Sequence, residues 1–370
     1  AFLAAEAEGQ GAALLEGVEL EEIGETTSGW RLTGRQGERE VEVEAAFVVD
    51  GTGPGGVLPR SLGIEPAPVP LTTCTRAIYG HFTGVPRWGD VIAAAGAAVA
   101  DHPFPCDDAA LHHLLDGGWL WMLRFDDGRL SAGLVLDAER HPLDPSVSAE
   151  AEWAARLGRY PSLAGLFAGA RLADLPGRLI RTSRLQRLAG RAAGPTWALL
   201  PHTYGFVDPL HSTGIAHSLS GVERLAEILP AHWGRPTLAA ALAAYGEALH
   251  RELRWLDRLV ALGYRSLPSF RLFAASTMLY FAATIHYEGL RLTHEGGTED
   301  EAAFDRLFLA ADEEGLDAAA AAASEALPSA VELGGEEIYE RTIEAAIRPY
   351  NTAGLFRPAV ANMYRHTAPR

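Results

Sequence analysis

A glycine- and proline-rich segment at residues 47–56, "FVVDGTGPGG", restricts the possible folds of this chain more than any other segment. Gly51, Gly53 and Gly56 have the G-x-G-x-x-G spacing of a dinucleotide-binding loop, and a strand-like run precedes them. In a true binding loop a long helix follows at once, and its N-terminus meets the pyrophosphate. Pro54 and the prolines soon after Gly56 exclude such a helix. The match to a dinucleotide fingerprint is therefore poor, and two other interpretations stand beside it: a glycine turn required by sterics alone, or a second glycine turn whose backbone approaches a cofactor held mainly elsewhere.

The composition excludes some classes of partner. The 370 residues carry a formal net charge of -17, which argues against binding a nucleic-acid phosphate backbone. Cys74 and Cys106 have neither C-x-x-C nor metal-ligand spacing, so we expect two reduced thiols in a cytoplasmic protein and no metal site, with one disulfide as the alternative. The apolar stretch Leu272–Ile285 is too short for a membrane span and predicts a buried helix, or alternatively an interfacial one.

The residue patterns predict an α/β (α+β) protein. Short alternating runs predict strands over 17–50, and strand-like runs without long helices predict an antiparallel sheet over 71–137. Within that range Phe125–Gly128 has the residue types of a hairpin turn, and we expect His112 to be a half-buried sheet or turn residue and not a metal ligand. Apolar residues at helical spacing predict a helix over 214–229, ended by Pro230, and helices from 237 to the end.

The N-terminal stretch "AFLAAEAEGQGAALLEG" resembles a helix already in progress. Its apolar stripe runs from Leu3 to Leu15, and no capping residue precedes it. We therefore expect a truncated chain whose true start lies upstream.

A second segment, "GFVDPLHSTGI" at 205–215, combines a turn with a helix start. Asp208 and Pro209 predict a turn, Ser212 and Thr213 are capping types, and Gly214 opens the helix. Free backbone N–H groups and the helix dipole at such an end attract anions. The alternative is an ordinary capped helix.

Three segments in order resemble the flavin-dependent halogenases and related FAD-dependent monooxygenases. "FVVDGTGPGG" is similar to their D-A-T-G-P-G segment, and "GFVDPLHSTGI" to their flavin-contacting turn. "GGWLWMLRFDDGRLSAGLVLD" resembles the strand pair that carries W-x-W-x-I-P. The resemblance covers roughly residues 1–230.

The resemblance implies a partial FAD/NAD(P)-binding Rossmann-like domain, a β-sheet substrate domain and a helical C-terminal region. It assigns 1–70 to the FAD-binding domain without its first βαβ unit, 71–194 to the substrate domain, 195–230 to the returning FAD-binding segment and 231–370 to the helical region. The implied FAD-contacting residues are Asp50, Gly51, Thr52, Gly53, Asp208, Pro209, Ser212, Thr213, Gly214 and Ile215. In a halogenase Thr213 and Gly214 would also bind the halide, and Trp119 and Trp121 would belong to the tryptophan motif.

The chain departs from the family pattern at three places. Met122, Leu123 and Arg124 replace the I-P ending, His211 stands where tryptophan halogenases have glutamate, and Pro201-His202-Thr203 replaces G-D-A. The sequence contains no lysine to act as the family's catalytic lysine. His211 beside a flavin could pass protons near neutral pH, or it could only pack there.

The resemblance implies an oxidoreductase that uses reduced FAD and O₂ on an apolar or aromatic small molecule, in the manner of a halogenase or monooxygenase. A separate flavin reductase would be its partner. Two alternatives stay open: a flavoprotein that reduces isoprenoid double bonds, and a degenerate binding protein of the same fold.

Overall fold

The computed structural model describes residues 2–294, 306–357 and 359–360. It divides into two compact units. The first holds the chain up to Pro70 with Leu188–Phe206 and Gly214–Leu249, and the second holds Leu71–Arg187, Val207–Thr213 and the chain from His250. The predicted mixture of helices, antiparallel sheet and a helical C-terminal region is confirmed. The assignment of cofactor and substrate domains with the boundaries given above stays a prediction.

The strands of the first unit form three small sheets. An antiparallel meander consists of β1 (Glu19–Thr26), β2 (Gly29–Gln36) and β3 (Arg39–Ala45). β4 (Val48–Asp50) pairs in parallel with β13 (Trp197–Leu199), which pairs with β12 (Ala193–Gly194). The two-residue strands β11 (Arg187–Leu188) and β14 (Gly205–Phe206) pair with each other. The parallel pair places the end of β4, and the glycine loop after it, beside residues 199–203.

The helices of the first unit correct two predictions. These helices are α1 (Phe2–Gly9), α2 (Val57–Ser61), α6 (Pro201–Tyr204) and α7 (Gly214–His232). α1 ends at Gly9 instead of continuing to Leu15, because the chain turns through Gly11 at a φ of +95°. α7 continues past Pro230 to His232, since a proline in the last turn removes only one backbone hydrogen bond.

The second unit is built on an antiparallel sheet, as predicted. The order is β10 (Ile180–Arg181), β5 (Thr75–Thr83), β8 (Leu130–Asp137), β7 (Gly118–Arg124) and β6 (Leu111–Leu115), and β9 (Arg171–Leu172) also pairs with β5. Residues 125–128 form the predicted hairpin turn between β7 and β8. Three helices lie between these strands in the chain: α3 (Trp88–Ala94), α4 (Ala149–Leu157) and α5 (Pro161–Leu166).

The two faces of this sheet differ. One face is an aliphatic core in which Leu120 and Leu134 pack with Trp153 and Leu163 of α4 and α5. Each fully buried leucine there stabilises the fold by about 1.5–3 kcal/mol. Side chains alternate along a strand, so the neighbouring positions, which include Trp119 and Trp121 on β7, point to the other face. That second face carries aromatic rings.

The C-terminal region is helical where it is described. α8 (Leu238–Ser266), α9 (Phe270–His294), α10 (Glu314–Leu333) and α11 (Glu336–Ile347) follow one another, with a short 3₁₀ turn at Phe308–Ala310. The predicted burial of the apolar stretch in α9 is confirmed by residues such as Ala275 and Leu279. The helix prediction for 295–305 and 361–370 lies outside the described residues. Across the described ranges, no helix has both the length and the apolar character that crossing a bilayer requires.

Candidate active site

The glycine loop of the first unit is shaped by the buried carboxylate of Asp50. Its Oδ1 accepts hydrogen bonds from the Thr52 backbone N–H at 2.8 Å and the Thr52 hydroxyl at 2.6 Å. Its Oδ2 accepts one from the Leu58 N–H at 2.7 Å. The helix after the loop, α2, has only 5 residues, which confirms that this is not the opening of a dinucleotide-binding helix. Asp50 therefore acts on the loop's own backbone.

His202 lies where this loop meets the start of α7. A Cβ at Gly53 would stand 3.0 Å from the His202 Cδ2, and one at Gly214 would stand 3.9 Å from its Nδ1. The Gly53 N–H donates to the Thr203 hydroxyl at 2.9 Å. The structure thus brings two predicted cofactor residues, Gly53 and Gly214, together around His202. The sequence had identified His202 only as part of the segment that replaces G-D-A.

The start of α7 presents first-turn backbone N–H groups. Gly214 opens a helix of 19 residues, and the first-turn N–H groups of a helix have no carbonyl within it to bond. These donors and the helix dipole favour an anion or an electron-rich atom. The preceding Ser212 has a φ of +53°, a left-handed conformation that costs energy for a residue with a Cβ. Ile215, another predicted contact, is 79% exposed.

Asp208 in the second unit points inward. Its carboxylate accepts hydrogen bonds from the Thr75 hydroxyl at 2.6 Å, the Leu210 N–H at 3.0 Å and the Tyr264 hydroxyl at 3.1 Å. The side chain is only 4% exposed, and burial raises its pKa to about 7 despite these donors. Asp208 holds the turn that includes Pro209, whose carbonyl accepts the Ser212 N–H.

His211 stacks on Tyr280 with ring centroids 4.1 Å apart and an angle of 9° between the planes. The Tyr280 hydroxyl donates to the His211 carbonyl at 3.1 Å. Burial, together with a smaller effect of the nearby His112, lowers the pKa of His211 to about 3. A neutral imidazole of this kind favours the packing role over proton transfer near pH 7, and a catalytic role for His211 stays a prediction.

The two predicted tryptophans occupy different surroundings on the aromatic face. Trp119 is 1% exposed, and its indole N–H donates to the Tyr264 hydroxyl at 2.8 Å. Trp121 is half-buried, donates to the Ser131 hydroxyl at 3.2 Å and meets Tyr79 at a ring distance of 5.8 Å. Trp119 therefore supports the structure from within, whereas Trp121 can contact a ligand.

A row of residues crosses the aromatic face from strand to strand. Tyr79 lies opposite Gly133, Gly133 lies opposite Trp121, and Trp121 lies opposite His112. Gly133 has no side chain, so the rings of Tyr79 and Trp121 approach each other above it. His112 is half-buried in a strand, as predicted, and burial lowers its pKa to about 4. Such a surface suits a flat apolar molecule.

Within the described ranges, no group of three or more His, Cys, Asp or Glu side chains is placed to hold a metal ion. Cys74 and Cys106 are both free thiols.

Comparison with known proteins gives consistent sequence relatives. No family model matches the chain. It is 29% identical over 278 residues to the tetracycline 7-halogenase of Kitasatospora aureofaciens, covering 73% of this chain and 48% of that protein. It is 29% identical over 265 residues to the monodechloroaminopyrrolnitrin halogenase PrnC of Pseudomonas fluorescens, covering 70% and 44%. The chain therefore spans about half the length of these relatives.

Solved structures share the fold. The halogenase PltM, crystallised with phloroglucinol and FAD, aligns with a TM-score of 0.79 at 20% identity, over 94% of this chain and 71% of that one. CmlS, a flavin-dependent halogenase, aligns with a TM-score of 0.56 at 20% identity, over 71% of this chain and 45% of that one.

Proposed function

We propose, from the similarity to flavin-dependent halogenases, that this chain is an FAD-dependent oxidoreductase that halogenates a small aromatic molecule. The observation that carries the proposal is the 29% identity to two halogenases over at least 70% of this chain. The resemblance first drawn from three short motifs is thereby confirmed. The activity, substrate and partners of the whole protein are the proposal.

The residues present fit the cofactor. Gly53 and Gly214 leave no side chain between their backbones and a ligand, and the first turn of α7 supplies N–H donors. We assign FAD contacts to the Asp50–Gly53 loop and His202 in the first unit. The flavin contacts of Asp208, Pro209 and Ser212 stay a prediction from the motif resemblance. The backbone at Thr213 and Gly214 would hold the halide. Reduced FAD, when bound, supplies the electrons that activate O₂.

The aromatic face of the large sheet is our candidate for the substrate surface. Tyr79 and Trp121 have half-buried rings that are partly accessible. The Ser131 hydroxyl lies beside them and accepts the Trp121 indole N–H. Aromatic pairs gain about 0.5–1.5 kcal/mol beyond the effect of buried area. An aromatic substrate would therefore be held mainly by ring contacts and oriented by a few polar groups.

A second candidate activity is oxygenation of the same substrate. Its support is the absence of the I-P ending after Trp121, where Met122 is buried on the opposite face of the sheet. Neither reduction of an isoprenoid double bond nor a role without catalysis finds support among the relatives. A separate flavin reductase as partner, and a cytoplasmic location, complete the proposal.

A product analysis tests the proposal. The purified protein is supplied with FAD, a flavin reductase, NADH, O₂ and phloroglucinol, with chloride, bromide or no halide, and products are identified by mass spectrometry. We expect a halogenated phenol that requires FAD and halide. A product that gains only oxygen would favour the second candidate, and no FAD-dependent product would contradict both.

Two variants test the substrate surface in the same assay. Trp121→Leu is expected to raise KM for the phenol about tenfold because a ring contact is lost. Trp233→Leu removes a tryptophan of the first unit that is 50% exposed, and it serves as the matched control with unchanged KM.

A further inference from the structure

A half-buried tyrosine outside every motif links two distant segments. The Tyr264 hydroxyl, near the end of α8, receives the indole N–H of Trp119 at 2.8 Å. It stands 3.1 and 3.3 Å from the two carboxylate oxygens of Asp208. Because the indole can only donate, the single hydroxyl hydrogen of Tyr264 is directed at Asp208.

On the other side of Asp208, the direction of the Thr75 hydroxyl hydrogen is also fixed by its neighbours. The Gln186 side-chain oxygen accepts the Thr75 N–H at 2.9 Å, and its NH₂ group donates to the Val207 carbonyl at 2.6 Å, which fixes the orientation of the amide. The same NH₂ group donates to the Thr75 hydroxyl at 2.7 Å. The Thr75 hydrogen is therefore free to point at Asp208, so both hydroxyls donate to the carboxylate.

α8 is shaped to approach this turn closely. A Cβ at Gly263 would stand only 3.0 Å from a methyl carbon of Leu210. Leu210 is buried, and its own N–H is the third donor to Asp208. The helix therefore contacts the turn twice in succession, once through Gly263 and once through Tyr264.

The Tyr264 side chain also lines two cavities. Thr75 and Tyr264 both line a cavity of about 160 Å³, and Tyr264 also lines a neighbouring cavity of about 520 Å³. Thr73, which is 5% exposed and lines the smaller cavity, has a hydroxyl without a hydrogen-bond partner among the described residues. Water is the expected occupant, since it satisfies such polar groups.

We propose that Tyr264 is the positioning residue of the 207–213 turn: it anchors Asp208 between β7 and α8 and so fixes the backbone that runs into Thr213 and Gly214. Tyr264 acts through Asp208 and does not itself contact the reacting atoms. The consequence for FAD rests on the proposed function, whereas the effect on the turn does not.

The test compares Tyr264→Phe with Tyr339→Phe. Tyr339 is a tyrosine of the second unit that is 1% exposed, and its hydroxyl shares one hydrogen bond with Ser276 at 2.7 Å, so its variant controls for the loss of a tyrosine hydroxyl bonded inside the protein. Hydrogen–deuterium exchange is followed in the peptide that covers 207–213, and FAD affinity is measured by fluorescence titration. Loss of one such hydrogen bond corresponds to roughly a tenfold change in each quantity.

We expect Tyr264→Phe to speed exchange in the 207–213 peptide about tenfold and to weaken FAD binding by a similar factor. Tyr339→Phe should change neither. Exchange in that peptide that matches the wild type in Tyr264→Phe, or that rises equally in Tyr339→Phe, overturns the proposal. If the wild type binds no FAD, the proposed function fails, while the exchange data still decide the role of Tyr264.

Discussion

Gly133 is the position at which one added methyl group is expected to damage both stability and the substrate surface. A Cβ built there lies 2.5 Å from the Cβ of Tyr79 and closer still to the ring of Trp121. Neither contact is physically allowed, so in Gly133→Ala the Trp121 ring must move. Its displacement also strains the indole hydrogen bond to Ser131.

The magnitude follows from these two contacts. Overpacking a well-filled site costs about 1–3 kcal/mol, and losing one hydrogen bond adds about 1 kcal/mol. We therefore expect Gly133→Ala to lower the free energy of unfolding by about 2–4 kcal/mol. For a unit of this size each kcal/mol corresponds to about 2–4 °C in Tm. The variant should also lose affinity for an aromatic probe.

The assay is thermal and urea unfolding of wild type, Gly133→Ala and Gly165→Ala. Gly165 lies in α5 with nothing within 4 Å of its added Cβ, so alanine there should be neutral or stabilising by about 0.5–1 kcal/mol. A Gly133→Ala protein as stable as the wild type, with unchanged affinity for phenols, would refute the close approach of Tyr79 and Trp121 across this glycine.

Three further predictions concern the buried polar groups. Asp50→Ala leaves the Leu58 N–H without its acceptor and should cost about 2–3 kcal/mol in urea unfolding, with weaker FAD binding. His202→Asp introduces the aspartate of the G-D-A pattern, and we expect FAD titration to show about tenfold tighter binding; unchanged binding would contradict the placement of His202 at the cofactor. Burial raises the folded-state pKa of Asp208 from 3.8 to about 7, so its contribution to stability is full below pH 4 and is lost as pH rises through 7. Burial lowers the pKa of His211 from 6.5 to about 3, so its contribution is full above pH 6.5 and is lost as pH falls toward 3. The free energy of unfolding of the wild type minus that of Asp208→Asn should therefore fall as pH rises from 4 to 7. The same difference taken against His211→Gln should rise over that range.

Local patterns were enough to predict the parts of the fold that depend on neighbouring residues. The strands over 71–137, the turn at Phe125–Gly128 and the buried helix around Leu272–Ile285 all follow from periodicity and turn chemistry. The same reasoning predicted that no long helix follows "GTGPGG", because the prolines forbid it.

Contacts between distant segments could not be predicted in this way. Tyr264 is 145 residues from Trp119 and 56 from Asp208, and no local pattern connects these three positions. The motif resemblance placed Asp208 beside the cofactor, whereas the structure shows its carboxylate satisfied by the protein interior. Helix ends were also imprecise, since glycine stopped α1 early and a proline in the last turn did not stop α7.

Titration of the purified protein with FAD tests the central claim most directly. Flavin fluorescence and the visible absorption band are followed as FAD is added, with riboflavin as the control that lacks the adenosine diphosphate group. We predict saturable binding of FAD with a shifted flavin band, weakened in Asp50→Ala. The absence of saturable FAD binding, or binding that Asp50→Ala leaves unchanged, would contradict an FAD site built on the Asp50–Gly53 loop.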